Sequence, residues 1–290
     1  MRHRVREGGL LVARNSEWLL ACLRPRSRFV FETHDPPRGL RDRLITDRVL
    51  EHPGLKALVV ISRPLRDAWA AARPQIASRI LVAPDGADAV ADPDGSAAQP
   101  RDATAPFRVG YVGHLYPGRG GELLVDVART VPEAEFHLVG GRPEDVARLR
   151  GLAPPPNVIF HGHRPPSEVP TLMRRFDAVV APYQAKVAVS GGGGDTVAWM
   201  SPLKIFEYMS HAKPIVVSDL PVLHEALERD RTALFVPASD VSAWADALRR
   251  LMRDPDERQA LGRRAHETFL ARYTWSRRAA RILEAAGATS

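Results

Sequence analysis

Residues 201–211, Ser201-Pro202-Leu203-Lys204-Ile205-Phe206-Glu207-Tyr208-Met209-Ser210-His211, hold a cation, an acid and an imidazole at i, i+3 and i+7. On an α-helix Lys204, Glu207 and His211 share one face, while Leu203, Phe206 and Ser210 turn elsewhere. Ser201 reads as the N-cap and Pro202 as the first helical residue, where a missing N–H costs nothing. Lys213-Pro214 stops the helix, and Ile215-Val216-Val217 follows as a strand of a buried parallel sheet. A helix N-terminus after a strand and loop is a ready phosphate site, here with a cation and an acid one to two turns in. A buried helix with a solvated Lys–Glu pair fits the same spacing and would do no chemistry.

Two other stretches offer reactive groups. Gly113-His114-Leu115-Tyr116-Pro117-Gly118-Arg119-Gly120-Gly121 follows an apolar run. Its glycines let backbone approach a phosphate, and Arg119 offers a bidentate grip. The stretch does not spell a dinucleotide fingerprint, and the next strand ends in Val139-Gly140-Gly141 without an acid, so a nicotinamide dinucleotide is disfavoured. A plain strand-to-helix turn is the alternative. Phe31-Glu32-Thr33-His34-Asp35 sets a histidine and acids at the end of a second apolar run. His34 there suits polarising a sugar hydroxyl or a phosphate, or merely capping a turn.

The elements that must position these groups follow a strand–helix rhythm. Strands are expected over 10–13, 28–33, 57–61 and 80–82, with helices over 16–23, 39–50 and 64–72 between them. Pro84-Asp85-Gly86 breaks the pattern, and 87–106, rich in Ala, Asp and Pro, reads as a linker. The rhythm restarts with strands over 108–112, 135–139, 158–160, 178–181, 215–217 and 233–236, a complete doubly wound set. Three helices close the chain, over 241–252, 256–273 and 276–286. The one low-complexity segment is Gly191-Gly192-Gly193-Gly194, which suits a lid or donor loop feeding the helix at 201 or simple disorder.

Composition narrows the partners. Lys+Arg 41 against Asp+Glu 34 gives a net charge of +7, with arginine far ahead of lysine, which favours acidic partners such as nucleotide phosphates or anionic lipid headgroups. No basic block carries interleaved aromatics, so nucleic acid is disfavoured. Cys22 stands alone, which excludes an internal disulfide or a thiolate metal cluster and fits a reducing compartment. No apolar run approaches the ~18–20 residues of a spanning helix. The expected location is cytoplasmic, with peripheral contact at the inner face of an anionic membrane.

Several motifs together resemble a known family. Val109-Gly110-Tyr111-Val112-Gly113-His114-Leu115 with Arg119-Gly120, Phe136-His137-Leu138-Val139-Gly140-Gly141, Val158-Ile159-Phe160-His161-Gly162, the 201–209 run with Lys213-Pro214, and Tyr273-Thr274-Trp275 are similar to family 4 of the glycosyltransferases, the retaining group with the GT-B fold. The resemblance covers residues 107 to about 285. It implies an α/β fold of two Rossmann-like doubly wound parallel-sheet domains: an incomplete acceptor-side domain over 1–86, the linker, a donor domain over 107–272, and a helix over 273–290 returning toward the first domain.

The resemblance also implies site roles. Glu207 matches the glutamate that holds the donor ribose, and Arg119 the basic residue on the donor diphosphate, joined there by Gly113, His114, Lys204 and the Ser201, Pro202 and Leu203 backbone. His34 matches the histidine beside the transferred sugar, and with Glu207 makes the catalytic pair. Three positions depart from the family. Trp199 stands where its first acid belongs, so a donor-sugar contact is either missing or displaced, with Asp195 and Trp199 itself as the candidates. His114 replaces an arginine, and the opening strands of the acceptor domain are absent. The implied partners are a nucleotide-diphosphate sugar and a glycan or lipid-linked acceptor, with no cofactor and no metal, since cationic side chains and a helix dipole take up the leaving charge. The alternative is a nucleotide-sugar-binding or interaction module without turnover.

Overall fold

The computed structural model describes residues 9–35, 39–91, 93, 105–186 and 197–288. Strand β1 (Leu10–Ala13) leads to α1 (Ser16–Cys22), β2 (Arg28–Thr33), α2 (Gly39–Glu51), β3 (Leu55–Val60), α3 (Arg63–Ala72), a 3-10 turn over Pro74–Arg79, and β4 (Ile80–Val82). The second half runs β5 (Phe107–Val112), α4 (Gly121–Thr130), β6 (Ala134–Val139), α5 (Pro143–Arg150), β7 (Val158–Gly162), α6 (Val169–Arg175), β8 (Ala178–Ala181) and α7 (Leu203–Ser210). It continues through β9 (Ile215–Ser218), a 3-10 turn over Pro221–Glu225, β10 (Leu234–Val236), α8 (Val241–Arg253), α9 (Pro255–Arg272) and α10 (Trp275–Ala285). Two compact units result: Met1–Asp85 with Trp199–Ser201 and Trp275–Ser290, and Gly86–Ala198 with Pro202–Thr274.

In the first unit the sheet order is β1-β2-β3-β4, parallel throughout. An order that never reverses puts right-handed crossovers on one face. Phe29, Phe31, Leu58 and Val60 accordingly pack on Leu19, Val49, Leu65 and Trp69 of the three helices. The opposite face presents Val30, Ala57 and Val59 to Ile282 and Ala286 at the C-terminus. Alternation along β2 then sends Glu32 to the same side as Val30. Asn15 and Ser62 cap α1 and α3 through their side chains.

The second unit has the order β10-β9-β8-β5-β6-β7. Here the order reverses between β5 and β8, with α4, α5 and α8 packing on the core of β5, β6 and their neighbours. Among the described residues the first sheet shows only one half of that pattern. Two boundaries differ from those expected. Ala87, read as linker, is buried and donates its N–H to the Tyr273 carbonyl at 3.1 Å. Residues 199–201, read as part of the donor helix region, belong to the first unit.

Candidate functional site

Reversal of strand order opens a crevice at the carboxyl ends of the two central strands, the usual ligand position in such sheets. Pairing of β5 with β8 stops at Gly110–Val179, while β5 and β6 stay paired to Val112–Val139. The gap is filled by Tyr208 of α7: its hydroxyl accepts the Val112 N–H at 2.9 Å and lies 3.3 Å from the Val180 carbonyl. One phenol therefore satisfies backbone groups of both diverging strands and fixes α7 against them.

Lys204 lies one turn before Tyr208, at the mouth of this crevice. It is 8% exposed, and its Nζ has no hydrogen-bond partner. The ammonium sits 3.9 Å from the Tyr111 ring centroid and 4.9 Å from that of Tyr183. Burial drives its pKa well below the usual lysine value, nearby Arg119 pushes the same way, and Glu207 opposes both. Arg119 faces the Tyr183 ring at 5.4 Å, and its Nε is likewise buried without a partner. Burial of Lys204 Nζ and Arg119 Nε without a protein acceptor suits this crevice to an anion.

Glycine geometry makes room for that anion. Gly113 has φ +143°, and a Cβ there would lie 3.3 Å from Lys204 Nζ. Gly140, with φ +109°, comes so close that a Cβ would stand 2.3 Å from the Gly113 carbonyl oxygen. Side chains at either position would displace the loop or the ammonium. His114, the next residue, stacks on Tyr116 at 4.8 Å. Its pKa is lowered, first by burial and then by Arg119, Lys204 and Arg142, so a neutral imidazole stands where the resemblance leads one to expect an arginine.

With this geometry in place, comparison with known proteins is informative. Residues 106–254, just over half of the chain, match the family described as Glycosyl transferases group 1. The chain belongs to that family. A D-inositol 3-phosphate glycosyltransferase of Corynebacterium urealyticum is 28% identical over 192 residues, 61% of this chain and 42% of that relative. A GDP-mannose-dependent alpha-(1-6)-phosphatidylinositol monomannoside mannosyltransferase of Mycolicibacterium smegmatis is 27% identical over 277 residues, 89% of this chain and 69% of that one. Among solved structures, Anabaena HepE in complex with UDP and glucose superposes with a TM-score of 0.71 at 19% identity, covering 97% of this chain and 78% of HepE. The chain thus spans about half the length of the first of these relatives. Its two parallel-sheet, Rossmann-like units have the fold of GT-B glycosyltransferases.

The remaining candidate residues distribute over both units. Glu207 turns outward from α7 one turn beyond Lys204, its pKa raised by the protein crowding its carboxyl and lowered in part by Lys204. Pro202, not Ser201, occupies the N-cap of α7, and no side chain caps that end. The Leu203 side chain is 47% exposed. Ser201 instead accepts the Asp85 N–H at 2.9 Å, within the first unit, so it is not the expected helix cap. Trp199 also packs in the first unit, where its indole N–H donates to Asp35 at 2.9 Å and its carbonyl accepts from Ser62. The indole N–H is therefore already engaged. Asp195 and the four-glycine run lie outside the described residues.

At the carboxyl edge of the first sheet, His34 is held from two sides. Its Nε2 lies 2.8 Å from Glu32 and its Nδ1 2.8 Å from Arg14. Glu32 is 6% exposed and pairs with Arg278 of α10 at 3.0 Å and with Arg14 at 3.6 Å. Burial works to raise the Glu32 pKa, but His34 and Arg278 outweigh it and bring it down to about 2. Glu32, His34 and Asp85 have donor atoms all within 4.8 Å, yet two guanidinium groups already match the Glu32 charge there, which makes the trio a poor cation site. Reading the sequence did not single out Tyr111, Tyr183, Tyr208 or Arg278, and it named Glu32 only as one of the acids beside His34. The alternation Glu32-x-His34 was the one local signal available for any of them.

Proposed function

We propose that the second unit binds a nucleotide-diphosphate sugar and that the protein transfers its sugar, with retention and without a metal, to a hydroxyl of a glycan or lipid-linked acceptor. The observation that carries this reading is the pair of buried cationic nitrogens without a protein acceptor at the strand-order reversal, Lys204 Nζ and Arg119 Nε. A diphosphate would supply the missing acceptors, and uncapped N–H groups at the start of α7 would add to them. Glu207, exposed one turn further, suits a ribose diol. The printed names of relatives support the donor class, since one structure holds UDP and glucose and one enzyme depends on GDP-mannose. As a diphosphate leaves the anomeric carbon, Lys204 and Arg119 stabilise its charge and the departing phosphate accepts the acceptor's proton. The +7 charge suits an anionic membrane carrying a lipid-linked acceptor.

Calorimetric titration with UDP, GDP and ADP tests the donor site. One of them is expected to bind, and Glu207→Ala to weaken it by roughly 1–3 kcal/mol; absence of heat with all three would overturn the proposal. A second reading, binding without turnover, draws on the two occupied nitrogens of His34. Transfer or donor hydrolysis by this chain would refute it.

A further inference from the structure

We infer that Glu32 is the positioning residue of His34, anchored by Arg278 from the C-terminal helix, and that it leaves the Nδ1 atom of His34 as a hydrogen-bond acceptor for a substrate hydroxyl. Residues two apart on an extended strand share a face, so Glu32 at the end of β2 and His34 just beyond it point the same way. The Glu32 carboxylate meets Nε2 at 2.8 Å. Arg14 meets Nδ1 at 2.8 Å, and a guanidinium only donates. Nδ1 must therefore be bare, and the proton of the neutral ring sits on Nε2, where Glu32 accepts it. Both contacts demand the same tautomer.

The two partners differ in permanence. The side chains of Glu32 and Arg278 are 8% and 12% exposed, and Arg278 also donates from Nε to the Pro84 carbonyl at 3.0 Å. That end of the network is locked between β2, α10 and the segment after β4. The Arg14 side chain is 63% exposed and is free to swing into water. An incoming group thus displaces Arg14, never Glu32, and it must donate to Nδ1. A sugar or acceptor hydroxyl can do so, whereas an ionised phosphate oxygen cannot. The catalytic part of this inference rests on the reading that His34 meets the transferred sugar; the tautomer does not.

Long-range 1H–15N correlation spectra of the histidine-labelled protein, recorded at mildly alkaline pH, read the tautomer directly. Wild-type protein is expected to show His34 protonated on Nε2. Glu32→Gln keeps that state because the amide oxygen still accepts, while Glu32→Leu made in an Arg14→Ala background, where neither contact holds the ring, shifts population toward the Nδ1–H form. Should Glu32→Leu fail to fold with Arg278 left unpaired, the pair Glu32→Leu/Arg278→Leu in the same background removes both charges and carries the same expectation. An Nδ1–H signal in wild type, or an unchanged spectrum in the leucine variants, overturns the inference. A merely structural pair would alter melting temperature and leave the tautomer alone. In transfer assays Glu32→Leu is expected to lower kcat by about tenfold or more, with the KM for the nucleotide sugar unchanged and partial rescue in Glu32→Gln. A wild-type protein that transfers nothing would refute the functional proposal, and the spectra would still decide the tautomer.

Discussion

At the scale of single residues, the proposed donor site rests on buried cationic nitrogens. Lys204 Nζ and Arg119 Nε are buried without acceptors, an arrangement that costs stability and that an anion would relieve. His114 adds a titratable element. Its free-state pKa is lowered, chiefly by burial, so it is neutral near pH 7 and an arriving diphosphate favours its protonated form. Binding then takes up a proton, and affinity rises as pH falls through the ordinary imidazole range. Titrations in buffers of different ionisation enthalpy would measure that uptake. His114→Arg is expected to strengthen nucleotide binding at neutral pH by roughly 1–3 kcal/mol and to abolish the uptake. A wild-type affinity flat between about pH 6 and 8 would contradict the assignment. The residue types of this site were legible in the sequence, because glycines, an arginine and a Lys-x-x-Glu helix carry local signals. The aromatic lining from Tyr111 and Tyr183 was not, since these residues lie far apart in the chain and look like ordinary core.

At the scale of elements, α7 acts as a clamp as well as a ligand-bearing helix. Tyr208 joins β5 to β8 where their own pairing has ended. Tyr208→Phe leaves the Val112 N–H buried without a partner and is expected to cost about 1–3 kcal/mol in urea unfolding, while also loosening nucleotide binding; a variant as stable as wild type would show that water replaces the hydroxyl. In the first unit, β2 and α10 are tied by Glu32 and Arg278. The Glu32 pKa of about 2 in the fold lies below the ordinary glutamate value of 4.5. A depressed carboxyl stabilises the fold fully above about pH 4.5 and loses that contribution as pH falls toward 2. The difference corresponds to roughly 3 kcal/mol. Urea midpoints of wild type and Glu32→Gln should therefore converge across that window, and parallel curves would contradict the pairing. Periodicity located the strands and long helices well. It passed over the two 3-10 turns, Pro74–Arg79 and Pro221–Glu225, because segments that short contain no repeat to detect.

At the scale of the molecule, the chain leaves and re-enters its units in an order that local patterns do not encode. Residues 199–201 and α10 join the first unit although most of their sequence neighbours belong to the second. Hydrogen exchange with and without a bound nucleotide diphosphate offers a test at this level. Protection is expected at 113–119 and at the start of α7, with β1 to β4 unaffected; protection concentrated in the first sheet would move the donor site there.

The sequence by itself determined the alternation of strands and helices, the parallel sheets, the phosphate-suited loops and the likeness to glycosyltransferases, because each rests on spacing within a few residues of one another. Only the tertiary structure decided that Ser201 serves Asp85 instead of capping α7, that the indole of Trp199 is spent on Asp35, and that His34 is oriented by a glutamate which an arginine some 240 residues away holds in place. Those contacts depend on which distant segments pack together, and burial is what turns their charges from solvated surface groups into partners that must be satisfied.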